Sequence, residues 1–236
     1  MPETEQVWSC TPADPSLLSQ GVQVWAAWLD VAPESALRFW STLSAQERER
    51  AARFIAKRER TRFVAARGRL RLILGSALGV KPQSVEFVYS AKGKPSLGGA
   101  FARCGLEFNL AHSAGLAVFA LAQRHVLGVD VEQVRPVPEL VNLVRRYFSS
   151  SECAEVNRLR GEQQVRAFFR IWTRKEAWLK ATGEGLAGLA PGLEVLDSSD
   201  ARKTSDGLQA ALPTPRLHLH NLAPTQGFFG ALAVAS

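Results

Sequence analysis

The stretch "GVDVE", residues 128–132, alternates apolar and acidic side chains as a β-strand does. In an extended chain Asp130 and Glu132 point to one face, about 7 Å apart, while Val129 and Val131 point to the other. Neighbouring carboxylates repel each other unless a cation or a basic group lies between them. Two interpretations follow. The acids form the exposed face of an edge strand, or they bind a hard divalent ion such as Mg²⁺ together with substrate phosphates.

A second stretch, "WTRKEAWLKATGEGL" at 172–186, predicts a helix that ends at glycines. Glu176 and Lys180 are four residues apart and therefore share one helical face. Surface helices commonly carry such pairs as solvated salt bridges. The pair alone does not identify a site, and the rest of the chain has to decide its meaning.

Helix and strand signals alternate on both sides of these stretches. Strands are predicted at 85–90, 106–111, 115–122 and 125–132, with a glycine- and proline-containing loop at 91–99 and short strands up to the final "GFFGALAVAS". Helices are predicted from the capping box of Ser44 and Glu47 and at 61–78, 138–147, 151–160 and 162–181. Residues 198–215 are predicted to form a loop with a weak strand. We expect an α+β fold of two similar α/β subdomains, residues 1–124 and 125–236.

The length and composition favour a folded protein with a sizeable core. The chain has 236 residues and 46% hydrophobic content, enough for one large or two small domains. It has neither a long apolar run nor a signal peptide, so we expect a soluble cytoplasmic protein. Cys10, Cys104 and Cys153 are odd in number and far apart, which predicts buried thiols rather than disulfides or a zinc site.

The positive charge is concentrated in one segment. The net charge is +7, and residues 48–71 hold ten Lys or Arg against Glu49 and Glu59. This excess favours an anionic partner, and one alternative is a nucleic-acid-binding protein that contacts phosphate backbones. Aromatic residues for base stacking are sparse there, since Phe54 and Phe63 are interpreted as core. A second alternative is another Mg²⁺-dependent phosphoryl or nucleotidyl transferase, although no P-loop motif indicates an NTPase.

Two further residues are candidates for binding an anion. His112 lies in "FNLAHSAG", where the small residues that follow would let an anion approach the backbone N–H groups. Lys94 lies in the turn "GKP". A single histidine is more often structural, and a loop lysine is usually solvated, so neither residue is a specific signal alone.

Four blocks taken together resemble the signature of an enzyme family. They are "GKP" (93–95), "FNLAHS" (108–113), "GVDVE" (128–132) and "WTRKEAWLKATGEGL" (172–186). In this order they resemble 4'-phosphopantetheinyl transferases of the surfactin-synthetase-activating (Sfp) type, over roughly residues 44 to 190. The resemblance implies a monomer of two similar α/β subdomains in a pseudo-twofold arrangement.

The resemblance also implies a reaction. Coenzyme A donates its 4'-phosphopantetheine arm to a serine of an apo carrier protein, such as an acyl, peptidyl or aryl carrier of fatty-acid, polyketide or peptide synthesis. Adenosine 3',5'-bisphosphate is released. The implied cofactor is Mg²⁺, with Mn²⁺ as a substitute, and neither nucleic acid nor a membrane is an implied partner.

The same resemblance assigns roles by position. The metal-binding acids are Asp130, Glu132 and Glu176, and the catalytic residues are Glu176 as general base, Lys180 and Asp130. The residues assigned to coenzyme A are Arg50, Arg62, Lys94, His112, Lys175 and Lys180. Glu152 matches an acid near the metal site.

One position departs from the family pattern. Glu47 stands where the best-known member has a lysine. The contact to the 3'-phosphate of coenzyme A is therefore expected to involve Arg48, Arg50, Arg62 or Arg67 instead.

Overall fold

Two antiparallel sheets carry the fold. The computed structural model describes residues 7–9, 21–184, 193–195, 202–203 and 217–235. The first sheet has the order β1-β2-β6-β5, with β1 at Val7–Ser9, β2 at Gln23–Trp28, β5 at Leu106–Ser113 and β6 at Leu116–Gln123. The second has the order β10-β11-β7, with β7 at Leu127–Gln133, β10 at Leu217–Leu222 and β11 at Phe228–Ala235. Two ribbons pair β3 (Phe87–Tyr89) with β4 (Pro95–Leu97) and β8 (Leu193–Glu194) with β9 (Arg202–Lys203).

Helices accompany both sheets. Between β2 and β3 the chain forms α1 (Pro33–Thr42), α2 (Ala45–Ala52) and α3 (Lys57–Leu78). Between β7 and β8 it forms α4 (Leu140–Tyr147), α5 (Ser150–Asn157) and α6 (Gly161–Thr182). The predicted α+β class is confirmed. Among the described residues, no helix is both long and apolar enough to cross a membrane.

Most predicted elements are present, with four differences. Strands β1 and β2 were not predicted. The capping box is confirmed: the Ser44 hydroxyl accepts from the Glu47 N–H at 3.2 Å, and the Glu47 carboxylate accepts from the Ser44 N–H at 3.0 Å. Helix α1, which starts at a proline, was not predicted. Helix α3 begins at 57 rather than at the predicted 61. The prediction missed the first turn because that turn is charged and lacks the apolar period. The predicted loop 91–99 contains the short strand β4.

The cysteine prediction was wrong for one residue. Cys104 is exposed and Cys153 is half-buried, and both are free thiols. Cys10 lies outside the described residues, as does most of the predicted loop 198–215.

The two sheets meet at their edge strands β5 and β7. No backbone ladder joins these two strands within the described chain. Instead, the Asn109 side-chain oxygen accepts from the Val129 N–H at 3.0 Å, and the Ser113 hydroxyl accepts from the Gln133 N–H at 3.3 Å. Apolar side chains of both sheets share one core cluster, which includes Val118, Ala120, Val129, Val131 and Val234. These contacts fix the position of β7 relative to the first sheet.

Strand β7 carries a glycine where helix α6 crosses it. A Cβ atom built on Gly128 would lie 2.2 Å from the Ala177 carbonyl oxygen and 2.3 Å from the Ala181 nitrogen. Both atoms belong to the helix backbone, which cannot yield as a flexible side chain can. The helix approaches this closely because residue 128 has no side chain, and the approach brings Glu176 and Lys180 next to the strand.

We expect Gly128→Ala to destabilise the fold by about 1–3 kcal/mol, because the added methyl group overpacks the helix–strand contact. Urea denaturation would measure the change. Gly230→Ala in the neighbouring strand is the matched control, since its Cβ would lie no closer than 3.1 Å to another atom. Equal losses in the two variants would contradict the proposed importance of the crossing.

Candidate active site

Asp130 is the buried centre of the acidic cluster. Its side chain lies on β7 and is 6% exposed, so the interpretation of 128–132 as an exposed polar edge was wrong. Lys180 Nζ donates to Oδ1 at 2.7 Å. Burial raises the pKa of Asp130 to about 6, although Lys180 acts in the opposite direction. Oδ2 is also buried, and among the described residues nothing donates to it.

Glu132 is held at the end of the same strand. The Ser113 hydroxyl donates to Oε2 at 2.6 Å, and Arg135 donates to the same oxygen at 2.8 Å. Ser113 belongs to β5 and Arg135 follows β7, so the carboxylate is fixed from both sheets. Sequence analysis did not identify either partner.

Glu176 approaches these acids from helix α6. Burial, followed by repulsion from Asp130, raises its pKa to about 7, and Glu132 adds to the repulsion. Within the described chain its carboxylate has no hydrogen-bond partner. Lys180, four residues on, pairs directly with Asp130 rather than with Glu176. Lys180 is therefore part of a half-buried cluster centred on Asp130 and not of a solvated surface pair with Glu176.

The donor set fits a divalent cation in its chemistry. The mutually repelling carboxylates of buried Asp130 and half-buried Glu132 and Glu176, together with the unpartnered Asp130 Oδ2, offer the oxygen ligands that Mg²⁺ takes. The described residues contain no three-ligand group already in metal-binding geometry. Two carboxylates together with substrate phosphates suffice for Mg²⁺, so the ion pair between Lys180 and Asp130 is compatible with binding beside it.

A cleft of about 250 Å³ opens next to Glu176 and Lys180, and we call it the lysine cavity. Its other walls include Lys94, Asn109 and Gly183. Lys94 Nζ donates to the Lys180 carbonyl oxygen at 2.5 Å, at the end of α6. Burial lowers the pKa of Lys94. The structure thus brings Lys94 to the predicted site, where it also satisfies a terminal carbonyl of the helix.

A second cleft of about 340 Å³, the arginine cavity, lies on the side of the first sheet. Its walls include Arg50, Arg62 and His112, three residues assigned to coenzyme A by resemblance. Burial and then Lys180 lower the pKa of His112, which favours the neutral imidazole at pH 7. Phe54 and Phe63 also line this cavity, so they are not purely core residues as predicted.

The arginine side chains that line this cavity differ in their contacts with the rest of the protein. Arg62 donates two hydrogen bonds of 2.7 Å to Asp30, which sequence analysis did not single out because no local motif marks it. The Arg50 guanidinium lies 5.4 Å from the centre of the Phe63 ring. Arg67 is buried, and its Nη1 has no partner among the described residues.

Two other predicted candidates have different partners. Arg48 donates at 3.3 Å to carbonyl oxygens at the end of α1, those of Trp40 and Ser41. Glu47, at the position that departs from the family pattern, forms a buried ion pair of 2.6 Å with Arg71. The ion pair explains how an acid is accommodated within this basic segment.

The structure does not support the assignment of Lys175 to coenzyme A. Both Lys175 and Glu152 are fully buried, and they form an ion pair of 2.8 Å inside the second half of the chain. Lys175 also donates to the Leu193 carbonyl oxygen, and Glu152 accepts from the Val195 N–H at 2.9 Å. In this structure the pair is internal and anchors strand β8 to the helices, so neither residue is exposed to a ligand.

Comparisons with known proteins give a consistent result. A family model described as "4'-phosphopantetheinyl transferase superfamily" matches residues 126–226, and one described as "4'-phosphopantetheinyl transferase, N-terminal" matches residues 27–124. The 4'-phosphopantetheinyl transferase HetI of Nostoc sp. (strain PCC 7120) is 42% identical over 232 residues, which cover 98% of this chain and 94% of the relative.

More distant relatives cover less of the chain. The 4'-phosphopantetheinyl transferase Sfp of Bacillus subtilis (strain 168) is 26% identical over 77% of this chain and 75% of the relative. Among solved structures, Thermotoga maritima holo-[acyl-carrier-protein] synthase is 22% identical with a TM-score of 0.33, over 48% of this chain and 64% of that chain.

The raised pKa of Glu176 predicts a pH-dependent stability. Its usual pKa is 4.5 and its folded value is about 7, so the folded state favours the protonated form. The carboxylate therefore destabilises the fold as pH rises from 4.5 to 7, and fully so above 7. The full shift would correspond to roughly 3 kcal/mol, but the carboxylate is only half-buried and water screens it. We therefore expect Glu176→Gln to be more stable than the wild type at pH 8 by about 1 kcal/mol.

Urea denaturation in metal-free buffer between pH 4.5 and pH 8 would measure this difference, which should vanish near pH 4.5. Glu162→Gln, an exposed acid on the same helix, is the matched control and should show no such trend. A constant difference across the pH range would contradict the assigned environment of Glu176.

Proposed function

We propose the following function on the premise that this chain belongs to the 4'-phosphopantetheinyl transferase superfamily. It is a transferase that moves the 4'-phosphopantetheine arm of coenzyme A to a serine of a carrier protein. We assign the reaction to the acidic cluster of β7 and α6. The observation that carries this assignment is the convergence of Asp130, Glu176 and Lys180 beside the lysine cavity.

The chemistry needs a base and a site that tolerates concentrated negative charge. The carrier serine oxygen attacks the phosphorus next to pantetheine, the bond to the adenosine 3',5'-bisphosphate leaving group breaks, and the serine proton passes to a base. The Glu176 carboxylate has no hydrogen-bond partner in the described chain, so it is free to accept that proton. Lys180 supplies positive charge beside the reacting phosphates.

Asp130, Glu132 and Glu176 would hold Mg²⁺ in this site. Each carboxylate about 4 Å from a phosphate costs ~4 kcal/mol at an effective dielectric near 20. Bound Mg²⁺ supplies the charge that offsets this repulsion and orients the diphosphate. The unpartnered Oδ2 of Asp130 and the high pKa of Glu176 support this assignment.

We assign the nucleotide end of coenzyme A to the arginine cavity. Arg50, Arg62 and His112 surround it, and Arg62 is oriented by Asp30. A guanidinium that is already fixed loses little side-chain entropy when it binds a phosphate. The pantetheine arm would then pass Glu176 and Lys180 toward the lysine cavity.

We further propose the finer classification as an Sfp-type enzyme. It would act as a monomer in which residues 1–124 bind most of the donor and residues 125–236 supply the acids and helix α6. The Sfp relative at 26% identity and the two consecutive family matches support this division.

The basic segment 48–71 keeps nucleic-acid binding as the alternative to be tested. Isothermal titration with coenzyme A, with and without Mg²⁺, and with a DNA duplex separates the two functions. The transferase predicts Mg²⁺-dependent binding of coenzyme A. Tight binding of the duplex with none of coenzyme A would support the alternative.

We expect Asp130→Asn and Glu176→Gln to reduce transfer at least ~10²-fold, because each removes a metal ligand and the second also removes the base. Transfer of a fluorescent coenzyme A conjugate to a panel of apo carrier proteins would measure the rate. Glu162→Gln is the control for loss of an acid from α6. Near-normal turnover of Asp130→Asn at millimolar Mg²⁺ would overturn the metal assignment.

We expect Arg50→Ala and Arg62→Ala each to raise the KM for coenzyme A roughly 10- to 100-fold. This factor corresponds to the loss of one charge-assisted hydrogen bond, about 1.5–3 kcal/mol of binding free energy. The same changes should barely affect dephospho-coenzyme A, which lacks the 3'-phosphate. Arg60→Ala, an exposed arginine of α3, is the matched control. Asp30→Asn tests whether Arg62 needs its orientation.

Equal losses with both donors would assign the arginines to the acidic carrier instead. That role acts through long-range attraction and weakens with added salt.

A further inference from the structure

Ser113 lies where the two sheets meet and lines the arginine cavity. It is the last residue of β5, and its hydroxyl donates to Glu132 Oε2 at 2.6 Å across the boundary between the sheets. The Ser113 hydroxyl oxygen also accepts a hydrogen bond from the Gln133 N–H at 3.3 Å. A hydroxyl has one hydrogen to donate, so these two contacts fix its direction toward Glu132.

The contact orients the carboxylate in a defined way. Ser113 and Arg135 both donate to Oε2, and no donor among the described residues reaches Oε1. The Arg135 side chain is 52% exposed, so water screens its contribution. The short hydrogen bond from Ser113 is therefore the stronger restraint, and it leaves the second oxygen available to a ligand.

Ser113 is also part of the wall of the arginine cavity, beside His112, Ala114 and Gly115. The backbone turns sharply there: Ala114 and Gly115 both have positive φ, 48° and 88°. A Cβ on Gly115 would lie 2.7 Å from an Arg62 nitrogen, so the turn and that arginine are in close contact. A ligand that orders this wall would also restrain Ser113.

We propose that Ser113 is a positioning residue that couples donor binding in the arginine cavity to the orientation of Glu132. The coupling rests on the proposed function, in which coenzyme A occupies that cavity and Glu132 binds a divalent cation. Coenzyme A and the cation then bind cooperatively, and by thermodynamic linkage each raises the affinity for the other by the same factor.

The test measures this factor directly, without transfer. Isothermal titration gives the Kd of coenzyme A with EDTA and with saturating Mg²⁺ for the wild type, Ser113→Ala and Ser113→Thr. We expect Mg²⁺ to tighten binding about 5- to 150-fold in the wild type. Ser113→Ala should reduce that factor at least about fivefold, with little change in the Kd measured in EDTA.

The variants differ in what they keep. Ser113→Thr retains the hydroxyl and should retain the coupling. Ser113→Cys keeps the size but donates weakly, so it should lose coupling and still fold if Ser113→Ala does not. Ser41→Ala, which removes an exposed hydroxyl of α1, is the matched control and should match the wild type.

A double-mutant cycle excludes a purely structural role. In a Glu132→Gln background, Ser113→Ala should cause no further loss of coupling, because the carboxylate it orients is gone. Additive losses, or equal weakening of coenzyme A binding with and without Mg²⁺, would overturn the proposal. A wild type that binds coenzyme A with Mg²⁺ but performs no transfer would instead contradict the proposed function.

Discussion

The close crossing of helix α6 over strand β7 is the constraint on which the site depends. At Gly128 the helix backbone lies where a side chain would otherwise be. The close approach of helix and strand lets Lys180 Nζ reach Asp130 Oδ1 at 2.7 Å and places Glu176 near both acids of β7, which repel it. A strand and a helix far apart in sequence thus supply one cluster. The distance between them is short because Gly128 has no side chain.

The electrostatics of that cluster differ from those of the other buried ion pairs. Glu152 with Lys175 and Glu47 with Arg71 are internal pairs that hold strands and helices in place. The three acids of the cluster outnumber Lys180 and Arg135, and burial together with repulsion from Asp130 raises the pKa of Glu176 to about 7. In the proposed function a metal ion and substrate phosphates would offset this repulsion, whereas a complete internal pair offers nothing to a ligand.

The two sheets contribute different parts of the site. The first sheet and its helices supply the basic wall of the arginine cavity, and the second supplies the acids. Side chains of β5, those of Asn109 and Ser113, replace a backbone ladder at the boundary and fix β7 in position. Ser113 belongs to one sheet and restrains Glu132 of the other, so the boundary itself is part of the site.

The sequence by itself determined the α+β class, the strand at 128–132 and the helix at 162–181, because periodicity is a local property. The grouping of the acids with Lys180 followed from the family resemblance and not from a local pattern. It did not determine the partners. Lys175 and Lys180 stand five residues apart on one helix, yet the first is buried against Glu152 and the second pairs with Asp130. Only the tertiary structure decides such pairings, because burial and distance between remote segments set which charges meet.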